Sequence, residues 1–221
     1  MQYKAVIFDL DGTLLDTLAD LAGSGNRVLE KLGFDPHPTE AYRYFVGDGM
    51  ATLVERILPI PQRTPSTLAE AVECFKEDYA RNWAVATKMY TGIEEMLDGL
   101  TAMGVKICIL SNKPDGFTTV CVEKLLPKWQ FDAVYGQRDH VPKKPDPAGA
   151  LEIIEQLATE AIEPNEILYV GDTAVDMQTA AGSNLDSIGV LWGFREAEEL
   201  QQNGAKFLVS HPREIVDIVR R

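Results

Sequence analysis

A short apolar stretch near the amino terminus, Val6-Ile7-Phe8, leads into two aspartates separated by one residue, Asp9 and Asp11. Its β-branched and aromatic residues favour a buried strand. Residues at i and i+2 of an extended segment point to the same side, so both carboxylates are expected to project from the carboxyl end of this strand. Like charges so close need a cation or a shared proton. A strand followed by an Asp-Gly turn with solvated acids is the alternative that this stretch alone leaves open.

The charge balance bears on the possible partners. The 221 residues carry 34 acidic side chains against 21 lysines and arginines, a net charge of -13. That balance disfavours a broad basic surface for nucleic acid or for anionic membranes. An anionic substrate would therefore need a local cation, either a metal ion or a placed lysine. The sequence does not decide between a monomer and a homodimer.

The cysteines and the apolar runs predict a cytoplasmic protein. Cys74, Cys108 and Cys121 have no Cys-x-x-Cys spacing, so we expect a reducing compartment and no disulfide framework. The first strand begins almost at the amino terminus, which leaves no room for a signal peptide. The sequence contains no apolar run that approaches the ~20 residues of a membrane span.

The order of the patterns predicts two domains. Residues 16–89 show helical spacing of apolar residues throughout, with Thr64-Pro65 typical of a helix start and a break at Gly47-Asp48-Gly49. We interpret this segment as an all-helical cap domain. Residues 1–15 and 90–221 alternate strands with helices, which predicts an α/β core with a doubly wound, Rossmann-like parallel sheet.

Three later strand ends also carry polar side chains. Ser111 and Asn112 follow an apolar strand and precede a helix, where a hydroxyl and helix N–H groups can bind an anion, although a simple N-cap is the alternative. Lys144 stands before Pro-x-Pro on a stiff segment, unless Lys143 and Lys144 are only a solvated pair. Asp172 ends a strand, and Asp176 follows one helical turn later on the same face. Their carboxylate oxygens suit Mg²⁺. The alternative is that Asp172 caps the helix and Asp176 is a surface acid.

The four strand ends, taken in order, resemble the motifs of the haloacid dehalogenase-like hydrolases, beginning with Asp-x-Asp-Gly-Thr at Asp9. The resemblance covers the whole chain and includes a helical cap between the first and second motifs. It implies Mg²⁺-dependent hydrolysis of a small phosphorylated metabolite. Asp9 would be the nucleophile and Asp11 the general acid and base. The groups that it assigns to the phosphoryl oxygens are Gly12, Thr13, Ser111, Asn112 and Lys144.

The same resemblance implies the metal ligands. They would be the Asp9 carboxylate, the Asp11 backbone carbonyl and the Asp172 carboxylate, with Asp176 orienting bound waters. It also implies a cis bond between Lys144 and Pro145.

Within that family the chain is similar to the phosphoglycolate phosphatases. Four stretches carry this similarity: the Asp-x-Asp-Gly-Thr motif at Asp9, and the segments Val46-Gly47-Asp48-Gly49, Ser111-Asn112-Lys113-Pro114 and Gly204-Ala205. Gly47, Asp48 and Gly49 are then expected to contact the leaving group, with a helix break as the alternative. A sugar-phosphate phosphatase or a phosphomutase keeps the same core motifs. A dehalogenase would not require Asp11, and a non-catalytic phosphate-binding module would require neither Asp11 nor Lys144.

Overall fold

The computed structural model describes residues 2–221, and the chain divides into two compact units. One unit comprises Met1–Leu15 and Met89–Arg221, and the other comprises Asp16–Lys88. The helical unit ends at Lys88, one residue before the end expected from the sequence. Each unit is described separately below.

A parallel sheet forms the centre of the first unit. Within residues 2–221 six strands pair in the order β5-β4-β1-β6-β7-β8, and all their pairings are parallel. The other two strands, β2 and β3, pair with each other at the two points where the chain passes between the units. The strands are β1 Ala5–Phe8, β2 Leu15–Asp16, β3 Lys88–Met89, β4 Lys106–Pro114, β5 Ala133–Gln137, β6 Ile167–Gly171, β7 Asp186–Val190 and β8 Phe207–Val209.

Helices cover the sheet of the first unit. The four residues of β1 are completely buried, as expected for a central strand with helices on both faces. The helices are α5 Ile93–Ala102, α6 Asp115–Leu125, α7 Ala148–Ala158, α8 Ala174–Gly182, α9 Ala197–Gln202 and α10 Arg213–Arg220, with a 3₁₀ turn at Pro164–Glu166. The α/β class and the Rossmann-like parallel sheet predicted from the sequence are confirmed.

The second unit is helical. Thr64 caps its longest helix, because the Thr64 hydroxyl accepts a hydrogen bond from the Thr67 amide at 3.2 Å. The helices are α1 Leu18–Lys31, α2 Tyr42–Phe45, α3 Met50–Ile57 and α4 Pro65–Asn82, with 3₁₀ turns at Thr39–Ala41 and Ile60–Gln62. The predicted break at Gly47-Asp48-Gly49 separates α2 from α3. Across residues 2–221, every helix is too short or too polar to cross a bilayer.

The strand order places three chain segments at one position. β1 lies between β4 and β6, and the chain runs outward from it in opposite directions, to β5 on one side and to β7 and β8 on the other. Ligands bind at such a reversal, at the carboxyl ends of the strands. The carboxyl ends of β1, β4 and β6 carry Asp9, the Ser111 segment and Asp172.

Candidate active site

Asp9 and Asp11 follow the same strand but contact different lysines. The Asp9 amide donates to the Val170 carbonyl at 2.9 Å, which fixes the residue against β6. Its carboxylate lies 2.9 Å from the Lys144 ammonium. The Asp11 carboxylate is bound through both oxygens by the Lys113 ammonium, at 3.0 and 3.1 Å. The two acids therefore have separate electrostatic partners, which allows them separate chemical roles.

The turn after β1 holds Asp11 in place. The Leu10 carbonyl accepts hydrogen bonds from the amides of Leu14 and Leu15 at 3.0 and 2.9 Å, and the Gly12 amide donates to the Leu15 carbonyl at 2.8 Å. Gly12 has a φ of +90°, and a Cβ there would collide with the Asp172 carboxylate. Glycine is required at this position for both reasons.

Asp172 lies at the end of β6 and is completely buried. One carboxylate oxygen accepts the Phe194 amide at 2.7 Å, and the other accepts the Thr13 hydroxyl at 3.2 Å. Burial raises the pKa of Asp172 well above 3.8, and the negative charges of Asp176 and Asp9 raise it further. A carboxylate in this position needs a nearby cation to remain ionised.

Lys144 connects two of the acids. Its ammonium donates to the Leu110 carbonyl at 3.0 Å, to Asp176 at 2.6 Å and to Asp9 at 2.9 Å. Burial opposes the charged form of Lys144, but the carboxylates of Asp176 and Asp9 outweigh it, so the Lys144 pKa is raised well above 10.5. Lys144 is therefore a buried, permanently charged group. Its neighbour Lys143 is exposed, so the solvated-pair alternative does not describe Lys144.

Asp176 holds this lysine in position. One of its oxygens accepts the Lys144 ammonium, and the other accepts the Thr173 amide at 3.1 Å and the Thr173 hydroxyl at 2.7 Å. These contacts to Thr173 form a capping box at the start of α8. The bond between Lys144 and Pro145 is cis, as the resemblance implied.

Three buried acids form a donor set for a divalent cation. Asp9, Asp172 and Asp176 each offer a carboxylate oxygen, and these oxygens lie within 4.8 Å of one another. Burial raises the pKa of Asp9 to about 7, because the opposing effect of Lys144 is smaller and Asp176 adds a further increase. The positive charge of Lys144 alone therefore does not balance these three carboxylates. Hard oxygen ligands of this kind fit Mg²⁺, with Asp176 less accessible because Lys144 and Thr173 occupy it.

The second predicted segment differs from the expectation in one respect. Ser111 and Asn112 lie inside β4, which continues to Pro114, and α6 begins only at Asp115. A helix does follow this segment, as expected, but the strand expected to end before Ser111 continues to Pro114. The pairing of β4 with β5 shifts register between Leu110 and Pro114, so this stretch is an irregular strand rather than the start of a helix. The strand end was misplaced because a bulged strand end and the residues before a helix have similar sequences.

The Ser111 segment remains at the site. Ser111 and Asn112 are buried, and the Ser111 hydroxyl oxygen accepts the Lys113 amide at 3.2 Å. The Asn112 side chain donates to the Lys144 carbonyl at 3.0 Å. The hydroxyl and the bulged backbone therefore lie on the segment that also fixes Lys144.

Gly47, Asp48 and Gly49 belong to the helical unit. The two glycines have φ values of +113° and +85°, which explains why a side chain is absent from both. Asp48 forms an ion pair with Arg56 at 2.6 Å, and Arg56 also donates to the Phe45 carbonyl at 3.2 Å. The negative charge of Asp48 is thus balanced within its own unit.

The structure adds residues that the sequence interpretation did not assign to the site. Lys113 binds Asp11, and the signal for it was its position two residues after Ser111 on an extended segment. Trp192 donates its indole N–H to the Thr13 carbonyl at 2.9 Å, and Phe194 binds Asp172 through its amide. The loop after β7 that supplies these two contacts carries no motif that could have indicated them.

Comparison with known proteins agrees with this geometry. The family model of the haloacid dehalogenase-like hydrolases matches residues 6–190. A phosphoglycolate phosphatase from Pseudomonas putida is 31% identical over 217 residues, which cover 96% of this chain and 78% of that protein. One from Aquifex aeolicus is 30% identical over 216 residues, covering 98% and 96%.

A solved structure of a protein from Lactobacillus delbrueckii subsp. bulgaricus superposes with a TM-score of 0.92 at 31% identity, covering 99% of both chains. The family model spans every site residue of the core unit from Asp9 to Asp176. The chain therefore belongs to the haloacid dehalogenase-like hydrolase family and is similar to its phosphoglycolate phosphatases.

Proposed function

We propose that the protein is a Mg²⁺-dependent phosphatase that hydrolyses a small phosphate monoester, of the phosphoglycolate type, through an aspartyl-phosphate on Asp9. One observation carries the proposal: Asp9 and Asp11 lie two residues apart, yet Lys144 binds one and Lys113 binds the other. A nucleophile and a proton donor are needed within reach of the same phosphate ester, in different electrostatic environments. The names of the relatives support the choice of substrate.

The first step forms a bond between an Asp9 carboxylate oxygen and phosphorus while the ester bond from phosphorus to the leaving oxygen breaks. Asp11 gives its proton to that oxygen, so that a neutral alcohol leaves. In the second step Asp11 takes a proton from a water molecule, whose oxygen attacks phosphorus. The bond between Asp9 and phosphorus then breaks, which releases inorganic phosphate and restores the Asp9 carboxylate.

Other residues would hold the phosphoryl group. Lys144 lies next to Asp9 and supplies a permanent positive charge for oxygens that develop charge in the transition state. The Ser111 hydroxyl and the Asn112 backbone are the proposed donors from β4. Gly12 and Thr13 lie on the turn that follows Asp9, and the Thr13 hydroxyl contacts Asp172. Asp176 acts through Lys144 and Thr173, which it holds in place.

The proposed ligands of Mg²⁺ are the carboxylates of Asp9 and Asp172 and the backbone carbonyl of Asp11, with Asp176 nearby. When bound, the ion would keep Asp9 ionised and neutralise charge on the phosphoryl oxygens. Coordination through its backbone would leave the Asp11 side chain to move protons.

The role of the helical unit is proposed from the family resemblance. The core residues address the phosphoryl group, which is common to all monoesters, so a cap must contribute to the choice of substrate. Gly47, Asp48 and Gly49 are the proposed contacts. We also propose a cytoplasmic location, which the free thiols of Cys74, Cys108 and Cys121 support.

A phosphate-release assay tests the proposal. The purified protein should release phosphate from 2-phosphoglycolate with Mg²⁺ and lose this activity in excess chelator, with recovery when Mg²⁺ is restored. Sugar phosphates measured in parallel decide the substrate class. Transfer of the phosphoryl group to a second sugar hydroxyl, without phosphate release, would identify a phosphomutase and contradict the proposal.

A further inference from the structure

Lys113 is a buried cation that contacts Asp11. Its side chain is 3% exposed, and its ammonium binds both oxygens of Asp11. The strand fixes it from the other end, since the Lys113 amide donates to the Ser111 hydroxyl and its carbonyl accepts the Thr118 hydroxyl at 3.1 Å. Both its backbone and its charged end are therefore held.

The two site lysines contact different acids. Lys144 is bound to Asp9, Asp176 and the Leu110 carbonyl, so its charge lies on the side of the nucleophile. Lys113 is bound to Asp11, which must reach the oxygen that leaves. We infer that Lys113 recognises an anionic group on the leaving alcohol, and thereby makes the site selective for short acidic phosphate monoesters. This inference rests on the proposed function.

Distance limits the kind of substrate. A proton donor must lie within about 3 Å of the oxygen that it protonates. The Lys113 ammonium is 3.0 Å from the nearer Asp11 oxygen, so the leaving oxygen lies within about 6 Å of this ammonium, as the sum of the two contacts. A carboxylate attached one carbon beyond the leaving oxygen falls in this range, whereas one at the end of a long chain extends past it.

Charge gives the physical reason for such a residue. Asp9, Asp172 and Asp176 are clustered, Asp11 follows Asp9 by two residues, and the whole chain has a net charge of -13. A second anionic group on the substrate would be repelled unless a cation faced it. Interactions between charges are strong in a site with little water, so a buried ammonium is well suited to this role. A neutral leaving group would gain nothing from it.

The alternative is that Lys113 only positions Asp11. The comparison of an acidic with a neutral substrate separates the two roles, because Asp11 protonates both leaving groups. The matched esters are 2-phosphoglycolate and ethyl phosphate. The variants are Lys113→Met, which removes the charge, and Lys113→Arg, which keeps it. Lys124→Met is the control, since Lys124 is exposed on the helix that follows the same strand.

We expect Lys113→Met to lower the ratio of kcat/KM for 2-phosphoglycolate over ethyl phosphate by at least about tenfold, the usual effect of losing a hydrogen bond to a charged group. The larger part of this loss should be in KM. Lys113→Arg should restore part of the ratio, and Lys124→Met should leave it unchanged. An equal loss for both esters would show that Lys113 acts only through Asp11 and would overturn the inference.

A binding measurement keeps this result apart from the proposed function. Calorimetric titration of the Asp9→Asn protein, with Mg²⁺ present, requires no turnover. Tighter binding of 2-phosphoglycolate than of ethyl phosphate, with the difference lost when Lys113→Met is added, would support the inference. If wild-type protein releases phosphate from neither ester, the proposed function fails. If the added substitution leaves the ratio of the two affinities unchanged, the inference fails.

Discussion

The side chains of Asp9 and Asp11 have the same chemistry, and their neighbours separate their roles. Asp9 is buried next to Lys144 and the other acids of the cluster, and its pKa is raised to about 7 by burial. Asp11 is somewhat more exposed and is bound by Lys113. A carboxylate that can be held ionised by a cation suits a nucleophile, and one that lies outside the cluster suits proton transfer.

Asp9→Asn should abolish turnover while the protein stays folded, because the amide keeps the shape of the side chain but cannot attack phosphorus. Loss of a nucleophile typically lowers kcat by on the order of 10⁴-fold or more. Steady-state phosphate release and a circular dichroism melt check the two parts. Asp139→Asn, at an exposed loop position, is the matched control and should keep full activity. Wild-type turnover in Asp9→Asn would exclude a covalent role for Asp9.

Asp11→Asn should lower activity according to the leaving group. Loss of a general acid typically costs about 10²- to 10⁴-fold, and the cost is greatest for alkoxides, which leave poorly without a proton. The kcat/KM for an alkyl phosphate should therefore fall further than that for p-nitrophenyl phosphate. Equal losses for the two esters would argue that Asp11 acts in some other way, for instance by holding Lys113.

The site residues that the sequence could predict stand at strand ends, and those that it missed depend on contacts distant along the chain. Asp9 and Asp172 follow apolar runs, which mark them directly. Local spacing could place Lys113 on the same side of the chain as Ser111, but its contact with Asp11 joins residues 102 positions apart and is not encoded locally. Trp192 reaches Thr13 across 179 positions. Such contacts depend on how the strands are ordered in the sheet, which periodicity does not give.

The strands and helices differ in the same way: those marked by a local sequence pattern can be predicted, and those that depend on pairing with distant strands cannot. The alternation of strands and helices expected for residues 90–221 is present, for example in the helix Ala174–Gly182 and the strand Phe207–Val209. The end of β4 was misplaced because its extension to Pro114 depends on pairing with β5 through an irregular register. No apolar period marks helix α9 in the sequence, since Leu200 is its one buried residue.

Asp20 joins the two ends of the helical unit. It lies in the first turn of α1, and its buried carboxylate accepts the Ala86 amide at 2.9 Å, the Thr87 amide at 2.8 Å and the Thr87 hydroxyl at 2.7 Å. These bonds attach the segment that follows α4 to the helix that begins the unit. If the Asp20 carboxylate is removed, the Thr87 hydroxyl and the two backbone amides lose their hydrogen-bond acceptor.

Asp20→Ala should therefore destabilise the protein by about 2 kcal/mol, since buried donors left without acceptors cost about 1–3 kcal/mol. Asp20→Asn should cost less, because one oxygen remains to accept a hydrogen bond. Urea unfolding measures both, and Asp35→Asn at an exposed loop position provides the control, expected within about 0.5 kcal/mol of wild type. A neutral effect of Asp20→Ala would show that water replaces the carboxylate.

Across the whole molecule, negative charge exceeds positive charge, and part of the excess is buried at the active site. Asp9, Asp172 and Asp176 are buried together, and both Asp9 and Asp172 have raised pKa values caused first by burial. An acid whose pKa is higher in the folded protein than in the unfolded chain holds its proton more tightly when folded. Its contribution to stability is present at low pH and is lost as the pH rises through the folded value.

The stability of the metal-free protein should consequently fall as the pH rises from the ordinary Asp value of 3.8 to about 7. Mg²⁺ and protons compete for the same oxygens, so added Mg²⁺ should stabilise the protein more at about pH 8 than at about pH 5.5. With Mg²⁺ at about 100 times its Kd, binding contributes about 2.7 kcal/mol, which corresponds to a rise in Tm of about 5 to 10 °C for a chain of this size.

Asp172→Asn provides the decisive comparison, because it removes one ligand and one buried charge while it retains an oxygen for the Phe194 amide. We expect the metal-free variant to melt at or above the temperature of the metal-free wild type, since it no longer holds an uncompensated carboxylate. Addition of Mg²⁺ should raise the Tm of this variant by less than about 2 °C, because the site has few carboxylates and has lost one of them. Melting curves with chelator and with Mg²⁺, at both pH values, give all these quantities. A gain that is independent of pH, or one that survives in Asp172→Asn, would place the cation elsewhere on this acidic molecule.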